Sequence, residues 1–315
     1  MEYNISKFWT RIGALIIDSL IIGLFGFILG LVFEDFFISI GTFGLLVGLL
    51  ICIIYFTIGY SYLTKGQTIG KKAVNIQVIT KDGKFLALEK SFLRAVALFF
   101  PFFLINLKIP GIEEDSLLFV LINAILLITL VGILFIYIFN KATRQTLHDF
   151  VAKSFVTENR EQESQIDLKK INPAIIFVYG MIAFFLLGLS VFNTYNSKNK
   201  TSSINIVYKK LSQLNGVVRA GTSDNTTTFY GNQNNVTHSF NGILWVQNLP
   251  QELNKIEESA IVKDAVRIIF ESNEDISEFD FIRITLIRGF NIGIARKTRS
   301  YYVSKSPEEW KEIVN

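Results

Sequence analysis

This chain contains one cysteine, two histidines and five prolines in 315 residues. The single cysteine, Cys52, excludes an intramolecular disulfide and any metal site built from several cysteines. His148 and His238 lie far apart in the sequence, and neither belongs to a credible Ser-His-Asp arrangement. The net charge of +4 is too small to indicate nucleic acid. We therefore expect no metal, no cofactor, no nucleic-acid partner and no enzyme activity.

Apolar residues, in contrast, are abundant and gathered into long runs. Half of the residues are hydrophobic, 29 of them are phenylalanine, and the mean hydropathy is +0.39. Runs of about 20 apolar residues indicate transmembrane helices. The sequence predicts about five of them, at residues 9–33, 40–63, 92–107, 117–139 and 173–192. The third run is the shortest and contains Arg94 and Pro101.

The predicted fold class is a membrane all-α bundle with a small soluble α+β C-terminal domain. Residues 1–157 would form a membrane domain with four spans, and 158–192 a charged linker and the fifth span. Residues 193–315 would form the α+β domain, with a helix at 251–270, strands at 243–249, 281–287 and 299–304, and a final helix from Pro307.

The loop between the second and third spans carries a strand pattern. Val74, Ile76 and Val78 alternate with polar residues, and Asp82-Gly83 is a strong turn signal. We expect a β-hairpin at the membrane surface, with residues 85–88 as the returning strand.

Glycines recur at spacings of three and four in the first two spans. Small residues on one helix face allow close helix approach in lipid, so the two spans are expected to pack as a tight hairpin. The residues are Gly23, Gly26, Gly30, Gly41, Gly44 and Gly48.

The distribution of lysine and arginine predicts orientation. Residues 65–90 carry six lysines and residues 141–170 carry six cations, whereas the short loops at 34–35 and 108–116 are acidic. Both basic segments should be cytoplasmic, which requires an even number of crossings between them, so residues 92–107 should cross. This predicts a multi-pass cell-membrane protein with a cytoplasmic N-terminus and an extracytoplasmic C-terminal domain.

Arg11 and Asp18 are ionisable residues inside the first apolar run. Each costs roughly 2.5–3.5 kcal/mol on the insertion scale, so such residues usually face protein or water and mark function. They are seven residues apart, which places them on one helix face about 10 Å apart. Asp18 could bind a cation or carry a proton, or it could pair with Arg94 or another basic group to hold the bundle together.

Four segments in order carry a family resemblance. They are Arg11-x-x-Ala14-x-x-x-Asp18, then residues 66–71 (GQTIGK) leading to Asp82-Gly83, then Arg94, and finally residues 144–149 (RQTLHD). Over roughly half of its length the chain resembles the RDD family of bacterial membrane proteins. The resemblance implies a multi-span integral membrane protein, with sodium/proton antiport attributed to some members. The family's arginine and two aspartates map to Arg11, Asp18 and Asp149.

The candidate site is therefore Asp18, Arg11, Arg94, Asp149, Arg144 and His148. Arg11 and Arg94 could anchor the membrane boundary or take part in ion handling. The segment from Arg144 to Asp149 could be a helix-end cluster that docks on the loop, or a cytoplasmic gate in which His148 titrates near neutral pH.

Two functions remain open at this point. The first is a cation/proton transporter that uses Asp18, which would act on monovalent cations or protons as a homo-oligomer in the lipid bilayer. The second is a membrane-anchored assembly or binding module whose external domain recognises a partner or an envelope component.

Overall fold

The computed structural model describes residues 4–105, 107, 112, 116–141, 143–158, 172–197, 202–229, 235–272 and 276–314. The acidic residues at 113–115 and the charged linker at 159–171 lie outside the described residues. The chain divides into two units. The membrane unit comprises Met1–Leu29, Thr42–Asn196 and Ile292–Ala295, and the C-terminal unit comprises Gly30–Gly41, Ser197–Asn291 and Arg296–Asn315.

Long helices dominate the N-terminal part of the chain. They are α1 (Phe8–Val32), α2 (Glu34–Ile40), α3 (Gly44–Tyr60), α4 (Ile69–Ala73), α5 (Leu88–Leu104), α6 (Leu117–Phe139), α7 (Leu147–Ala152) and α8 (Pro173–Ser197). Four helical segments are long and apolar enough to cross a membrane: Phe8–Val32, Glu34–Tyr60, Leu117–Phe139 and Pro173–Phe192. The prediction of an apolar helical membrane part is confirmed.

Helix α5 differs from these four segments. It is 17 residues long, contains Pro101, and carries Glu89, Lys90 and Arg94. That α5 also crosses the membrane therefore stays a prediction.

The β-hairpin predicted in the loop after the second span is wrong. Strand β1 (Ile76–Thr80) pairs with β2 (Ser154–Glu158) in an antiparallel ladder that matches Val78 with Val156. Residues 85–88 do not return along β1, although the turn at Gly83 forms with a positive φ of 74°. Leu86 instead bridges Ser61. The Asp82-Gly83 signal correctly indicates a local turn, but the strand that pairs with β1 lies more than 70 residues further along the chain.

The glycines of α1 and α3 do not bring these helices together as a tight hairpin. In the membrane unit, Gly23, Gly26 and Gly48 lie against the turn Ile292–Ala295. A side chain at Gly48 would overlap the carbonyl oxygen of Ile292, and one at Gly26 would overlap the side chain of Ile294. The small residues therefore make room for a loop and not for a second helix.

The C-terminal unit is built on a four-stranded sheet in the order β3-β4-β5-β6. The strands are β3 (Val217–Phe229), β4 (Asn235–Val246), β5 (Phe281–Asn291) and β6 (Arg296–Lys305), and only β4 and β5 are parallel. Parallel neighbours need a crossover, which contains α10 (Ala260–Ser272). Helices α9 (Ser202–Leu211) and α11 (Pro307–Val314) complete the predicted α+β fold.

The core of this unit lies between the sheet and α10. Leu244, Ile269 and Ile284 are among its fully buried residues. Trp310 of α11 is also buried and donates from its indole N–H to the carbonyl of Ile282 at 2.9 Å. The predicted strands at 281–287 and 299–304 and the helix from Pro307 are confirmed, whereas the strand predicted at 243–249 is the end of β4, and the helix predicted at 251–270 begins only at Ala260.

Acidic and basic residues pair within the C-terminal unit. Arg288 contacts Glu34 at 3.2 Å and Asp35 at 2.7 Å, and Lys297 donates to Glu34. Glu34 and Asp35 open α2 and are therefore not a free acidic loop.

Candidate functional site

All three guanidinium nitrogens of Arg11 donate hydrogen bonds to protein acceptors. Nε donates to Ser6 Oγ at 2.6 Å, Nη1 to the carbonyl of Arg144 at 2.5 Å, and Nη2 to the carbonyl of Val156 at 3.1 Å. Its side chain is almost fully buried. Arg11 thus ties the N-terminal segment, the loop before α7 and strand β2 together, and it does not extend to lipid headgroups.

Asp18 is fully buried and accepts three hydrogen bonds from neutral donors. Tyr55 Oη lies 2.7 Å from Oδ1, the Gly70 amide nitrogen lies 2.7 Å from Oδ1, and Thr68 Oγ1 lies 2.6 Å from Oδ2. The predicted pairing of Asp18 with Arg94 is wrong, because Arg94 pairs with Asp149. Asp18 fastens α1 to α3 and to the start of α4.

Three residues of the GQTIGK segment (66–71) are restricted by the contacts that they make around Asp18 and β1. Thr68 is the N-cap of α4, and its hydroxyl oxygen accepts from the Lys71 amide at 3.2 Å. A side chain at Gly70 would overlap the Ala14 carbonyl oxygen and crowd the Asp18 carboxylate. Gly66 has a φ of 68° and lies against the backbone of Val78. Each of the three positions is therefore restricted by backbone contact.

Arg94 and Asp149 form the central buried ion pair. Arg94 donates to Asp149 Oδ1 from Nη2 at 2.6 Å and from Nε at 3.1 Å. The other oxygen of Asp149 accepts from the Thr146 amide in a capping box that opens α7. Burial alone would raise the pKa of Asp149, but the charges of Arg94 and Arg11 and the hydrogen bond from Arg94 act together with His148 to hold that pKa below its usual range. The pair fastens α5 to α7.

His148 lies in the same cluster but does not titrate near neutral pH. Its Nδ1 is 2.7 Å from Thr146 Oγ1. Burial lowers the pKa of His148 to about 3, more than the charge of Asp149 can offset. The imidazole is neutral at physiological pH, which argues against the gate hypothesis. Arg144 has a φ of 51° and contributes its backbone carbonyl, which accepts from Arg11.

Lys71 is a buried residue of this site that the sequence did not indicate. Its side chain is 7% exposed, and its Nζ lies 5.3 Å from the ring centre of Tyr60. With the residues that the structure describes, this ammonium makes no hydrogen bond and no ion pair. Burial lowers the pKa of Lys71 to about 7, and the charge of Arg94 acts in the same direction. A lysine in a polar loop is ordinarily solvated, so no sequence signal pointed to its burial.

A cavity of about 470 Å³ lies inside the membrane unit. Its lining contains five Arg, Lys, His or Asp side chains, namely Arg11, Lys71, Arg94, His148 and Asp149. Its remaining walls are mainly apolar and come from α1, α3, α5 and α6, including Ile12, Leu15, Cys52, Phe56, Leu98, Phe99, Phe102, Ile133 and Leu134.

The turn Ile292–Ala295 contributes Gly293 and Ile294 to the same lining. Because Ile294 lies beside Gly26, the turn is 15 residues along α1 from Arg11, or about 22 Å at 1.5 Å per residue. The cavity therefore has a charged end near Arg11 and an apolar end near Gly26. Asp18 is not among the residues that line it.

The structure thus brings four of the six predicted site residues into one buried cluster, namely Arg11, Arg94, His148 and Asp149, while Arg144 contributes only its backbone carbonyl. Asp18 lies beside Thr68 and Gly70 instead. In the part of the chain that the structure describes, no group of three or more His, Cys, Asp or Glu side chains could hold a metal ion.

Long apolar helices around a cavity with buried charges define a multi-pass integral membrane protein. Residues 5–153 match the RDD family, so this part of the chain is similar to that family of membrane proteins. The family is not known as enzymatic. No curated protein and no solved structure matches the chain.

Proposed function

We propose that the RDD-like part of the chain is a membrane-embedded binding module and that the cavity is its site. The observation that carries this proposal is the cavity itself, in which buried cations meet apolar walls. Its volume of about 470 Å³ falls in the range of roughly 300–1,000 Å³ that small-molecule sites occupy. That the C-terminal unit recognises a partner or envelope component stays a prediction.

Two features argue against a cation site in this cavity. Its lining contains Arg11, Lys71 and Arg94 but only one carboxylate, Asp149, which already pairs with Arg94. A like charge entering such a site is disfavoured. The second carboxylate, Asp18, is outside the lining and saturated by three donors.

Cation/proton transport through Asp18 is the second candidate function. Its support is a carboxylate buried in an apolar helix, a costly arrangement that often marks an ion pathway. Transport would require Asp18 to exchange the hydrogen bonds from Tyr55, Thr68 and Gly70 for a cation or a proton. Homo-oligomerisation belongs to this hypothesis, since five spans are few for a complete transporter.

Reconstituted vesicles separate the two functions. Proton flux driven by sodium or potassium gradients would be measured for the wild-type chain and for Asp18→Asn, together with the yield of folded protein. As a binding module, the wild-type chain gives no cation-dependent flux, and the variant gives a lower folded yield. A wild-type flux that Asp18→Asn abolishes at normal yield would overturn the proposal.

We also infer that the N-terminus and both basic segments share the cytoplasmic side. The Ser6 amide donates to the Val156 carbonyl at 3.0 Å, and β1 pairs with β2. Paired strands on one side of the membrane, with α6 crossing between them in sequence, favour a second crossing in the same interval, and we assign it to α5. A reporter fused after residue 315 should be active outside the cytoplasm, whereas activity only in the cytoplasm would reduce the count to four spans.

A further inference from the structure

The charged end of the cavity contains more cationic than anionic groups. Asp149 is engaged by two nitrogens of Arg94 and by the Thr146 amide. Lys71 lies 5.3 Å from the ring centre of Tyr60 and makes no ion pair with the described residues, although the charges of Asp18 and Asp149 favour its protonated form. A buried charge is costly unless it is paired, so an anion in contact with the Lys71 ammonium would stabilise it.

Arg94, like Lys71, has a donor nitrogen without a hydrogen-bond partner among the described residues. Its Nε and Nη2 are occupied by Asp149 and Ser154, but Nη1 is buried without a hydrogen-bond partner among the described residues. Its guanidinium carbon lies 4.0 Å from the ring centre of Tyr60, the same ring that Lys71 contacts. The two cations therefore flank one aromatic side chain.

Beyond these cations the lining is apolar over a long distance. Leu98 and Phe102 on α5 and Ile133 and Leu134 on α6 belong to this lining, and the turn at Ile294 lies about 22 Å along α1 from Arg11. Walls of this kind exclude a small hydrated anion as the only occupant, because they would remain in contact with water. They suit an alkyl chain.

We propose that this cavity binds an amphipathic anion, in which one carboxylate or phosphate group lies at Lys71 beside Arg94 and an alkyl chain runs between α5 and α6. This inference rests on the proposed function and specifies its ligand class. A fatty acid and a single-chain phospholipid share this chemistry, whereas inorganic phosphate supplies only the head and a long-chain alcohol only the tail.

The test is binding of tritiated palmitate to the purified full-length chain in a non-ionic detergent. Unlabelled palmitate and lysophosphatidate should compete at least 10-fold more strongly than hexadecanol. Inorganic phosphate and hexadecyltrimethylammonium should compete weakly. Whichever of palmitate and lysophosphatidate competes better identifies the preferred head group. This comparison uses only the wild-type chain, so it does not depend on the folding of any variant.

Matched variants locate the site. Lys71→Met should weaken palmitate binding at least 10-fold, whereas Lys72→Met, at the adjacent exposed lysine, should leave it unchanged. Leu98→Trp should block the cavity, and Leu93→Trp, on the exposed face of the same helix, should not.

Three results would overturn the inference. They differ in whether they also overturn the proposed binding module. Equal competition by hexadecanol or by the hexadecyl cation would exclude an anionic ligand but leave the binding module intact. Unchanged palmitate binding in both Lys71→Met and Leu98→Trp would place the ligand elsewhere. The absence of binding by every amphiphile, charged or neutral, would remove the binding module as well.

Discussion

Replacing Asp18 by asparagine exchanges one carboxylate oxygen for an amide nitrogen at a site where every neighbour is a donor. Oδ1 can still accept from Tyr55 and Gly70. The new Nδ2 would face Thr68 Oγ1, which already accepts from the Lys71 amide. The asparagine variant therefore keeps the shape of the site and loses its charge.

The loss of folding free energy in Asp18→Asn follows from the three hydrogen bonds that Asp18 accepts. A hydrogen bond to a charged group contributes about 1.5–3 kcal/mol and a neutral one about 0.5–1.5, so the loss is about 1 kcal/mol per bond and about 3 in total. Removing the buried charge also removes its desolvation cost, which offsets part of the lost hydrogen-bond energy. The net loss of stability is about 2 kcal/mol. Asp18→Ala would leave three donors unsatisfied and cost about 5 kcal/mol.

Hydrogen exchange at residues 68–73 measures this loss directly, because Asp18 holds the first turn of α4. Asp18→Asn should speed exchange there about 30-fold, the factor that corresponds to about 2 kcal/mol. Asp82→Asn, at an exposed carboxylate in a turn, should change nothing. Exchange at α4 that is the same in Asp18→Asn and in the wild-type chain would refute the view that Asp18 fastens this helix.

Three further predictions concern the same unit. Arg94→Lys, which keeps the charge but loses the two-nitrogen contact, should lower stability by about 2 kcal/mol, and a double-mutant cycle with Asp149→Asn should give a coupling above about 1 kcal/mol. Gly70→Ala should lower the melting temperature by several degrees through backbone overlap, whereas Gly188→Ala, where a side chain meets nothing within 4 Å, should not; equal effects would refute the packing argument. Palmitate affinity should fall as pH rises through about 7, since the buried Lys71 ammonium loses its proton there, and the Lys71→Met variant, which controls for the titration of palmitate, should lack this step.

The sequence predicted those parts of the fold that depend on local composition. The runs that form α1, α6 and α8 were long enough to identify as spans, and the 3.6-residue period located α10. Among the site residues, Arg11 and Asp149 approach to 3.9 Å, because charges in or beside apolar helices must find protein partners.

Contacts between distant segments could not be predicted. Strand β1 pairs with residues 154–158 and not across its own turn, because the hydrogen bonds of an edge can be satisfied by any strand of suitable pattern. The burial of Lys71 depends on where α4 docks, and that docking depends on Asp18. The glycines of α3 indicated a close approach but not which segment approaches, and at Gly48 the neighbour is Ile292.

The turn Ile292–Ala295 also has a consequence for biosynthesis. Translation proceeds at about 5–20 residues per second, so this turn emerges on the order of tens of seconds after α3 has been made. During that interval the space beside Gly48 and Gly26 lacks its final occupant, and the nascent helices must insert without it. A chain shortened after residue 196 would retain the whole of residues 5–153 yet never acquire this turn. The membrane unit is thus completed last, by a segment encoded near the opposite end of the chain.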